Sequence, residues 1–206
     1  MNIENNENHI ILWNKYYIKN KISISWGYKE IDSHIVDFLN FYTFENGNNI
    51  LDVGCGYGKN AIYLLSNNFI YYGIDIANEP ISYAKSNYPK GNFYLKDILT
   101  LETNFIFDTI IDAGCLHVNK PENWNKILNK YNRLLEKGGR VFIRIFKSDN
   151  GSNNPLFIID GVLPVRGNTK EKLTQIIEKH FYIDKIIFDK DYYKEDEIFY
   201  FYLIKK

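Results

Sequence analysis

The stretch that decides the fold reads NILDVGCGYGK and spans residues 49–59. It begins as a short apolar run, typical of a strand buried on both faces, and it ends in three glycines spaced two apart. Glycines permit the tight turn and the close backbone approach that a ligand loop requires. The spacing G-x-G-x-G puts Lys59 where the dinucleotide pattern G-x-G-x-x-G has its last glycine, and no P-loop pattern is present. The stretch therefore predicts a different kind of ligand loop after a parallel strand.

Strands and helices alternate along the chain after this loop, which predicts a doubly wound α/β fold. The predicted strands are 49–53, 70–75, 93–95, 107–111, 140–146, 183–188 and 198–204, and the predicted helices are 59–67, 80–87, 124–135 and 169–179. About nine residues separate the last two strands, too few for a helical crossover, so we expect the last strand to be antiparallel. The prediction is a mostly parallel, seven-stranded sheet with an antiparallel last strand.

The residues before the first strand carry two apolar helical patterns, at 10–18 and 31–39. They predict a helical N-terminal cap beside the sheet. A chain of 206 residues fits one domain. We expect a single domain over 1–206, with the cap at 1–45 and the ligand-binding core at 46–206.

Composition limits the partners and the compartment. The chain has 25 basic and 25 acidic residues, so its net charge is zero and no global basic footprint favours nucleic acid or an anionic membrane. No apolar run approaches the ~18 residues of a membrane helix, and no secretory signal is evident. Two cysteines, Cys55 and Cys115, predict free thiols in a cytoplasmic protein. The four histidines lack metal-ligand spacing, so we expect no metal.

Aspartates lie at or near the ends of the first three predicted strands. Asp75 lies 21 residues after Gly54, where a carboxylate can accept hydrogen bonds from a ribose or else cap a helix. Asp97 can accept a hydrogen bond from an adenine amino group or be a solvated turn residue. Asp52, between apolar neighbours, either orders the glycine loop or contacts the ligand directly.

Taken together and in order, these motifs resemble those of class I S-adenosylmethionine-dependent methyltransferases. Residues 50–58 (ILDVGCGYG) resemble the first motif, residues 72–76 (YGIDI) the second and residues 96–98 (KDI) the third. Residues 107–112 look like the fourth strand, and residues 134–141 look like the turn into the fifth. The resemblance covers residues 46–206, and it also implies an antiparallel seventh strand inserted between the fifth and sixth. These motifs indicate which cofactor is bound, but they do not indicate which molecule accepts the methyl group.

The resemblance implies S-adenosylmethionine as cofactor, with S-adenosylhomocysteine as product, and it implies roles by position. The glycines would let the loop pass the methionine part, Asp75 would hold the ribose hydroxyls, and Ile76 would pack on adenine. Asp97 and the Ile98 backbone would read the adenine edge, and residues 112–115 would flank the methionine end. The predicted cofactor-binding residues are Asp52, Gly54, Cys55, Gly56, Gly58, Asp75, Ile76, Asp97, Ile98, Asp112 and Ala113.

The acceptor side is less specified, because methyl transfer mainly requires alignment of the acceptor and exclusion of water. His117, after the fourth strand, is the candidate general base, or it packs in its loop. Trp13, Tyr17 and Trp26 in the cap either close over cofactor and acceptor or only pack in the core. Arg166 either binds an acidic acceptor or pairs on the surface.

These patterns predict a methyltransferase that acts on a small molecule, with the acceptor atom (O, N or S) left open. The loop after the fourth strand lacks the Asn/Asp-Pro-Pro-Tyr/Phe pattern of amino-methylating families, which together with the zero net charge argues against DNA. Three alternatives remain: an RNA or protein methyltransferase, a non-catalytic S-adenosylmethionine-binding protein, and another enzyme of the same fold, such as an aminopropyltransferase. The oligomeric state is not specified.

Overall fold

The structure is a computed structural model that describes residues 6–24, 30–44, 48–190 and 197–206. Its strands are β1 (Asn49–Val53), β2 (Ile70–Asp75), β3 (Asn92–Leu95), β4 (Phe107–Asp112), β5 (Leu135–Lys147), β6 (Phe157–Ile159), β7 (Leu163–Val165), β8 (Gly167–Asn168), β9 (Phe181–Lys190) and β10 (Glu197–Lys205). Its helices are α1 (Asn6–Asn20), α2 (Ser33–Phe41), α3 (Lys59–Ser66), α4 (Asn78–Asn87), α5 (Pro121–Leu134) and α6 (Lys170–Ile177).

The main sheet has the strand order β3-β2-β1-β4-β5-β10-β9, and the short β8 pairs with β5. Strands β1 to β5 pair in parallel, whereas β10 is antiparallel to both of its neighbours. The doubly wound, mostly parallel sheet and its antiparallel last strand are therefore confirmed. The chain reverses its direction of travel across the sheet between β1 and β4, and ligands of open α/β sheets bind at such a switch point.

The central strand β1 is buried on both faces because helices cover both sides of the sheet. Ile50 packs in the cluster that contains Phe38 and Phe142, while Leu51 packs in the other cluster, with Ile110. Successive side chains of a strand point to opposite faces, so an unbroken apolar run serves two cores.

The two cap helices have different partners. Helix α2 begins after Asp32, whose carboxylate accepts a hydrogen bond from the His34 amide, and its Phe38 ring packs against Phe142 and Tyr202 of the sheet. Helix α1 packs its aromatic residues against Tyr57, next to the glycine loop. Both helices predicted for the N-terminal cap are present. Helix α2, however, packs directly on the sheet as part of the core.

The sequence analysis missed the hairpin of β6 and β7, which precedes β8. Its strands are three residues long, too short to show a period of two. A signal was nevertheless present, because the dipeptide at 160–161 is Asp-Gly, which favours a tight hairpin turn. Both residues have positive φ, 49° for Asp160 and 71° for Gly161, and the Val162 amide donates to the Ile159 carbonyl at 3.1 Å.

Candidate functional site

A cavity of about 910 Å³ crosses the carboxyl ends of the parallel strands. Its glycine-loop end is lined by Gly54, Gly56, Asp75 and Asp97, which follow β1, β2 and β3. Its α2 end is lined by Asp32, His34, Arg144, Phe146, Asp189 and Tyr200, from α2, β5, β9 and β10. Sites for small molecules have volumes of roughly 300–1,000 Å³, so the cavity has room for such a ligand.

The glycine loop is anchored to β2 and is tightly packed. The Gly54 and Cys55 amides donate to the Ile74 carbonyl at 2.8 and 3.0 Å. Gly54 and Gly56 have φ of 71° and 53°, in the left-handed region that favours glycine. A Cβ atom on Gly54 would lie 3.2 Å from the Cys115 Cβ, and one on Gly56 would lie 3.2 Å from the Tyr17 hydroxyl.

Gly58 has a different role from the one predicted. It precedes α3 with φ of 79°, and a Cβ there would meet the Phe93 and Tyr88 rings at 3.1 Å. It is not among the residues lining the cavity. The predicted contact of Gly58 with the cofactor is therefore not supported, because this glycine serves the packing of α3 against neighbouring rings.

Asp75, at the end of β2, has a carboxylate that two backbone amides hold in place. One oxygen accepts a hydrogen bond from the Gly56 amide at 3.0 Å and the other accepts one from the Ala77 amide at 2.9 Å. Burial raises the pKa of Asp75 to about 6, against these hydrogen bonds, which favour the ionised form. A carboxylate oxygen has two lone pairs, so each oxygen can still accept a ligand hydroxyl.

Asp52 both lines the cavity and bonds to residues that flank the glycine loop, so its two predicted roles stay predictions. Its buried carboxylate accepts hydrogen bonds from the Tyr71 hydroxyl at 2.7 Å and from the Asn60 amide at 3.1 Å. Burial raises its pKa to about 6. The residue thereby links β1, β2 and α3 directly below the loop.

Asp112 was predicted to flank the cofactor, and its side chain points elsewhere. The fully buried carboxylate accepts hydrogen bonds from the Cys115 amide at 2.7 Å, the Leu116 amide at 3.0 Å and the Tyr131 hydroxyl at 2.7 Å. It does not line the cavity, so its contact with the cofactor stays a prediction, and its carboxylate holds the amides of the loop that does line the cavity. The other predicted cofactor-binding residues line the cavity, namely Asp52, Gly54, Cys55, Gly56, Asp75, Ile76, Asp97, Ile98 and Ala113.

Aromatic side chains of helix α1 line part of the cavity. Trp13 and Tyr17 line the cavity, and Tyr17 packs edge-to-face on Tyr57 with ring centroids 5.4 Å apart. Sequence analysis missed His9, which also lines the cavity and accepts a hydrogen bond from the Trp13 indole at 2.6 Å. Burial lowers the pKa of His9, which favours the neutral acceptor form. Trp26 lies outside the described residues.

His117 lines the cavity but is a poor proton acceptor. Its Nδ1 lies 3.4 Å from the Arg144 carbonyl oxygen, and its ring packs edge-to-face on Phe146. Burial, together with the Arg144 guanidinium, lowers the pKa of His117 to about 3. The ring is therefore neutral near pH 7 and holds a proton weakly, so the geometry supports packing and hydrogen bonding over the predicted general base.

The Arg166 side chain is buried and is not among the residues that line the cavity. Its two predicted roles, binding of an acidic acceptor or a surface pair, stay predictions. Its amide donates to the His117 carbonyl at 2.8 Å. Its charge adds to burial in lowering the pKa of His9.

The α2 end of the cavity contains an ionic cluster that sequence analysis missed. The His34 imidazole stacks on Tyr200 with ring centroids 3.8 Å apart, its Nδ1 lies 3.2 Å from an Asp32 oxygen, and its Nε2 lies 3.3 Å from an Asp189 oxygen. The hydrogen bond to Asp32 raises the pKa of His34. Arg144 Nε lies 3.8 Å from the other Asp32 oxygen. One signal was available: Arg144 is the single charged residue in the apolar run VFIRIF at 141–146.

Both thiols are free, and Cys115 lines the cavity. Within residues 6–24, 30–44, 48–190 and 197–206, no group of three or more His, Cys, Asp or Glu residues could hold a metal ion. In the same part of the chain, no helix has the length and apolar character needed to cross a membrane.

The burial of neutral His117 predicts a pH-dependent contribution to stability. The unfolded chain binds a proton near pH 6.5 and the folded chain near pH 3, so this contribution is lost as pH falls below about 6.5. We expect the loss of unfolding free energy caused by His117→Gln to shrink by about 2 kcal/mol between about pH 7.5 and pH 5, measured by urea unfolding. His180→Gln, at a more exposed site, is the control, and an undiminished His117→Gln deficit at pH 5 would contradict the neutral state.

Comparison with known proteins agrees with this geometry. Residues 50–139 match the methyltransferase domain family. An uncharacterized methyltransferase of Bacillus cereus is 31% identical over 115 residues, which are 55% of this chain and 54% of that protein. The chain thus spans about half the length of the curated relatives it matches.

Two solved structures have the same fold. The 1,6-didemethyltoxoflavin-N1-methyltransferase of Burkholderia thailandensis, with bound 1,6-didemethyltoxoflavin and S-adenosylhomocysteine, has a TM-score of 0.78 and 18% identity, covering 98% of this chain and 91% of that chain. The N-methyltransferase NodS of Bradyrhizobium japonicum WM9, in complex with S-adenosylhomocysteine, has a TM-score of 0.71 and 15% identity, covering 93% and 98%. Residues 50–139 therefore match a methyltransferase domain, and the chain has the fold of the class I S-adenosylmethionine-dependent methyltransferases.

Proposed function

We propose that this protein binds S-adenosylmethionine at the glycine-loop end of the cavity and transfers its methyl group to a small molecule at the α2 end. The observation that carries the proposal is the Asp75 carboxylate, which lines the cavity and accepts hydrogen bonds from the Gly56 and Ala77 amides. Each of its oxygens has a further lone pair that can accept a hydrogen bond from a ligand. Such a group suits the two hydroxyls of a ribose.

The glycine-loop end fits the rest of the cofactor. The missing side chains of Gly54 and Gly56 leave backbone in direct contact with the cavity, where a Cβ would collide with Cys115 or Tyr17. Asp97 and Ile98 line the same end, where an adenine ring would need an apolar face and a hydrogen-bond acceptor. The residues present therefore match the group in shape and in polarity.

Bound S-adenosylmethionine supplies an activated methyl group on a sulfonium sulfur. Asp75 and the glycine loop hold the cofactor, while Trp13 and Tyr17 of α1 exclude water from it. The cluster of Asp32, His34 and Arg144 orients a polar acceptor by charge and hydrogen bonding. Holding the acceptor in line with the methyl group is the main source of rate acceleration in such a displacement.

The apolar lining of the α2 end supports a small-molecule acceptor. Apolar side chains of the β6–β7 hairpin region and of β5 line it, including Phe146, Phe157 and Ile159. The Burkholderia thailandensis enzyme with this fold has a small heterocycle bound. The two free thiols favour a reducing compartment, and we infer the cytoplasm.

Calorimetry with S-adenosylhomocysteine and S-adenosylmethionine tests the first step, and we expect micromolar dissociation constants. The second step follows tritium from methyl-labelled cofactor into metabolite, RNA and protein fractions of a cell extract. Label in a low-molecular-mass product supports the proposal, whereas label in RNA or protein supports that alternative. Binding without transfer to any fraction supports a non-catalytic binding protein.

A further inference from the structure

Two buried tyrosines each donate a hydrogen bond to a buried aspartate below the cavity. The Tyr71 hydroxyl, on β2, lies 2.7 Å from an Asp52 oxygen, and the Tyr131 hydroxyl, on α5, lies 2.7 Å from an Asp112 oxygen. All four residues are at most 1% exposed. Neither tyrosine lines the cavity, so neither contacts a ligand there.

The two aspartates lie beside the two loops that line the glycine-loop end: Asp112 accepts hydrogen bonds from the amides of its loop, and Asp52 joins the strands and the helix that flank the other. Asp52 lies near the end of β1, next to the glycine loop, and also accepts from Asn60 at the start of α3. Asp112 ends β4 and accepts from the amides of the next loop, including that of Cys115 at 2.7 Å. The loops meet, because a Cβ on Gly54 would lie 3.2 Å from the Cys115 Cβ.

The tyrosine hydroxyls oppose the effect of burial on the carboxylates. Burial raises the pKa of both aspartates, to about 6 for Asp52, and the tyrosine hydrogen bond is in each case the largest contribution that lowers it. The other charged groups facing Asp52 are Lys59, which favours the ionised form, and Asp112, which disfavours it. A protonated aspartate becomes a donor and loses part of its acceptor capacity. The loop after β4 would then lose the acceptor for its amides, and Asn60, at the start of the helix that follows the glycine loop, would lose the Asp52 acceptor.

We propose that Tyr71 and Tyr131 are positioning residues for the cofactor, which act by keeping Asp52 and Asp112 ionised and thereby hold the two cofactor loops in their binding shape at neutral pH. This inference rests on the proposed function, since it concerns the same site. It extends that function by assigning the pH range of cofactor binding to two residues that do not touch the ligand.

The test is calorimetry of S-adenosylhomocysteine binding to the full chain between about pH 5.5 and pH 8.5, for wild type, Tyr71→Phe and Tyr131→Phe. Removing one charge-assisted hydrogen bond should weaken binding about tenfold near pH 7. The affinity of each variant should recover towards the wild-type value at high pH, because the carboxylate then ionises without help. The pH at which affinity falls should thus move upward. The pKa of Asp75 is also raised to about 6, but Asp75 is present in all three proteins, so its ionisation does not account for a difference between their pH profiles.

Tyr42→Phe is the matched control. The Tyr42 hydroxyl donates to an Asp184 oxygen at the same distance of 2.7 Å, and neither residue lines the cavity. This variant loses the same kind of bond, and we expect wild-type affinity and an unchanged pH profile. Thermal unfolding of each unliganded protein separates loss of fold from loss of binding.

Asp52→Asn and Asp112→Asn provide the test if a phenylalanine variant fails to fold. Because an amide cannot ionise, these variants should bind weakly at every pH, with no recovery at high pH. Wild-type affinity and pH profile in the Tyr→Phe variants would overturn the inference, as would an equal loss of affinity at every pH. Failure of the wild-type protein to bind would instead overturn the proposed function.

Discussion

Asp75→Ala is expected to lower the affinity for S-adenosylhomocysteine by at least about 100-fold. The substitution removes the acceptor for the ribose hydroxyls, and hydrogen bonds to a charged group are worth roughly 1.5–3 kcal/mol each. It also leaves the Gly56 and Ala77 amides without their carboxylate partner, so the loop loses an anchor. Calorimetry near pH 7.5 measures the loss directly.

Asp108→Ala is the control for this experiment. The Asp108 carboxylate also accepts a backbone hydrogen bond, from the Asn49 amide at 2.6 Å, but it does so at the opposite end of β1 and does not line the cavity. We expect near wild-type affinity for this variant. Equal losses in Asp75→Ala and Asp108→Ala would mean that the effect is structural, and wild-type affinity in Asp75→Ala would remove the ribose contact from the proposal.

Gly56→Ala is expected to weaken S-adenosylhomocysteine binding by about tenfold to a hundredfold. Gly56 has φ of 53°, and the new Cβ would lie 3.2 Å from the Tyr17 hydroxyl. The loop or helix α1 must shift by a few tenths of an ångström, which moves the Gly56 amide relative to Asp75. Binding is sensitive to such a shift because the loop backbone itself lines the cavity.

Gly138→Ala is the control for Gly56→Ala. It introduces the same kind of backbone strain at a position away from the cavity, so it shows how much of the loss of affinity comes from strain alone. Gly138 has φ of 76°, and nothing lies within 4 Å of a Cβ placed there. Both variants incur a conformational cost of roughly 1–2 kcal/mol in unfolding free energy, and only Gly56→Ala should lose binding. In the Gly56→Ala background, Tyr17→Phe removes the crowding hydroxyl and should restore part of the affinity. Equal affinities of the two alanine variants would contradict the close packing of the loop.

The glycine-loop end could be predicted because its signals are local. The apolar run of β1, the glycines after it and the aspartates at the ends of β2 and β3 follow one another along the chain. A buried parallel strand and a left-handed turn each impose a residue preference at their own position. For the same reason, Asp75 and Asp97 were expected at the site and line the cavity.

The direction in which a side chain points is decided by the folded chain. Asp112 accepts buried hydrogen bonds, Gly58 lies against aromatic rings and Arg166 is buried outside the cavity lining, so their predicted ligand contacts stay predictions. Burial beside Arg144 lowers the pKa of His117 to about 3, which disfavours its predicted role as a general base. Solvation of a side chain depends on everything that surrounds it, so residue type alone does not predict it.

The pattern along the chain was enough to predict the alternation of elements, the antiparallel last strand and the residues at the glycine-loop end of the cavity, since these follow from spacing and backbone preference. The α2 end required the folded chain. Asp32, Arg144, Asp189 and Tyr200 are separated by up to 168 positions and meet because the strand order places β10 between β5 and β9. The pairs of Tyr71 with Asp52 and Tyr131 with Asp112 also require the folded chain, because strand pairing and helix packing bring their side chains together. A contact between distant residues depends on strand order and helix packing, which no short stretch of sequence specifies.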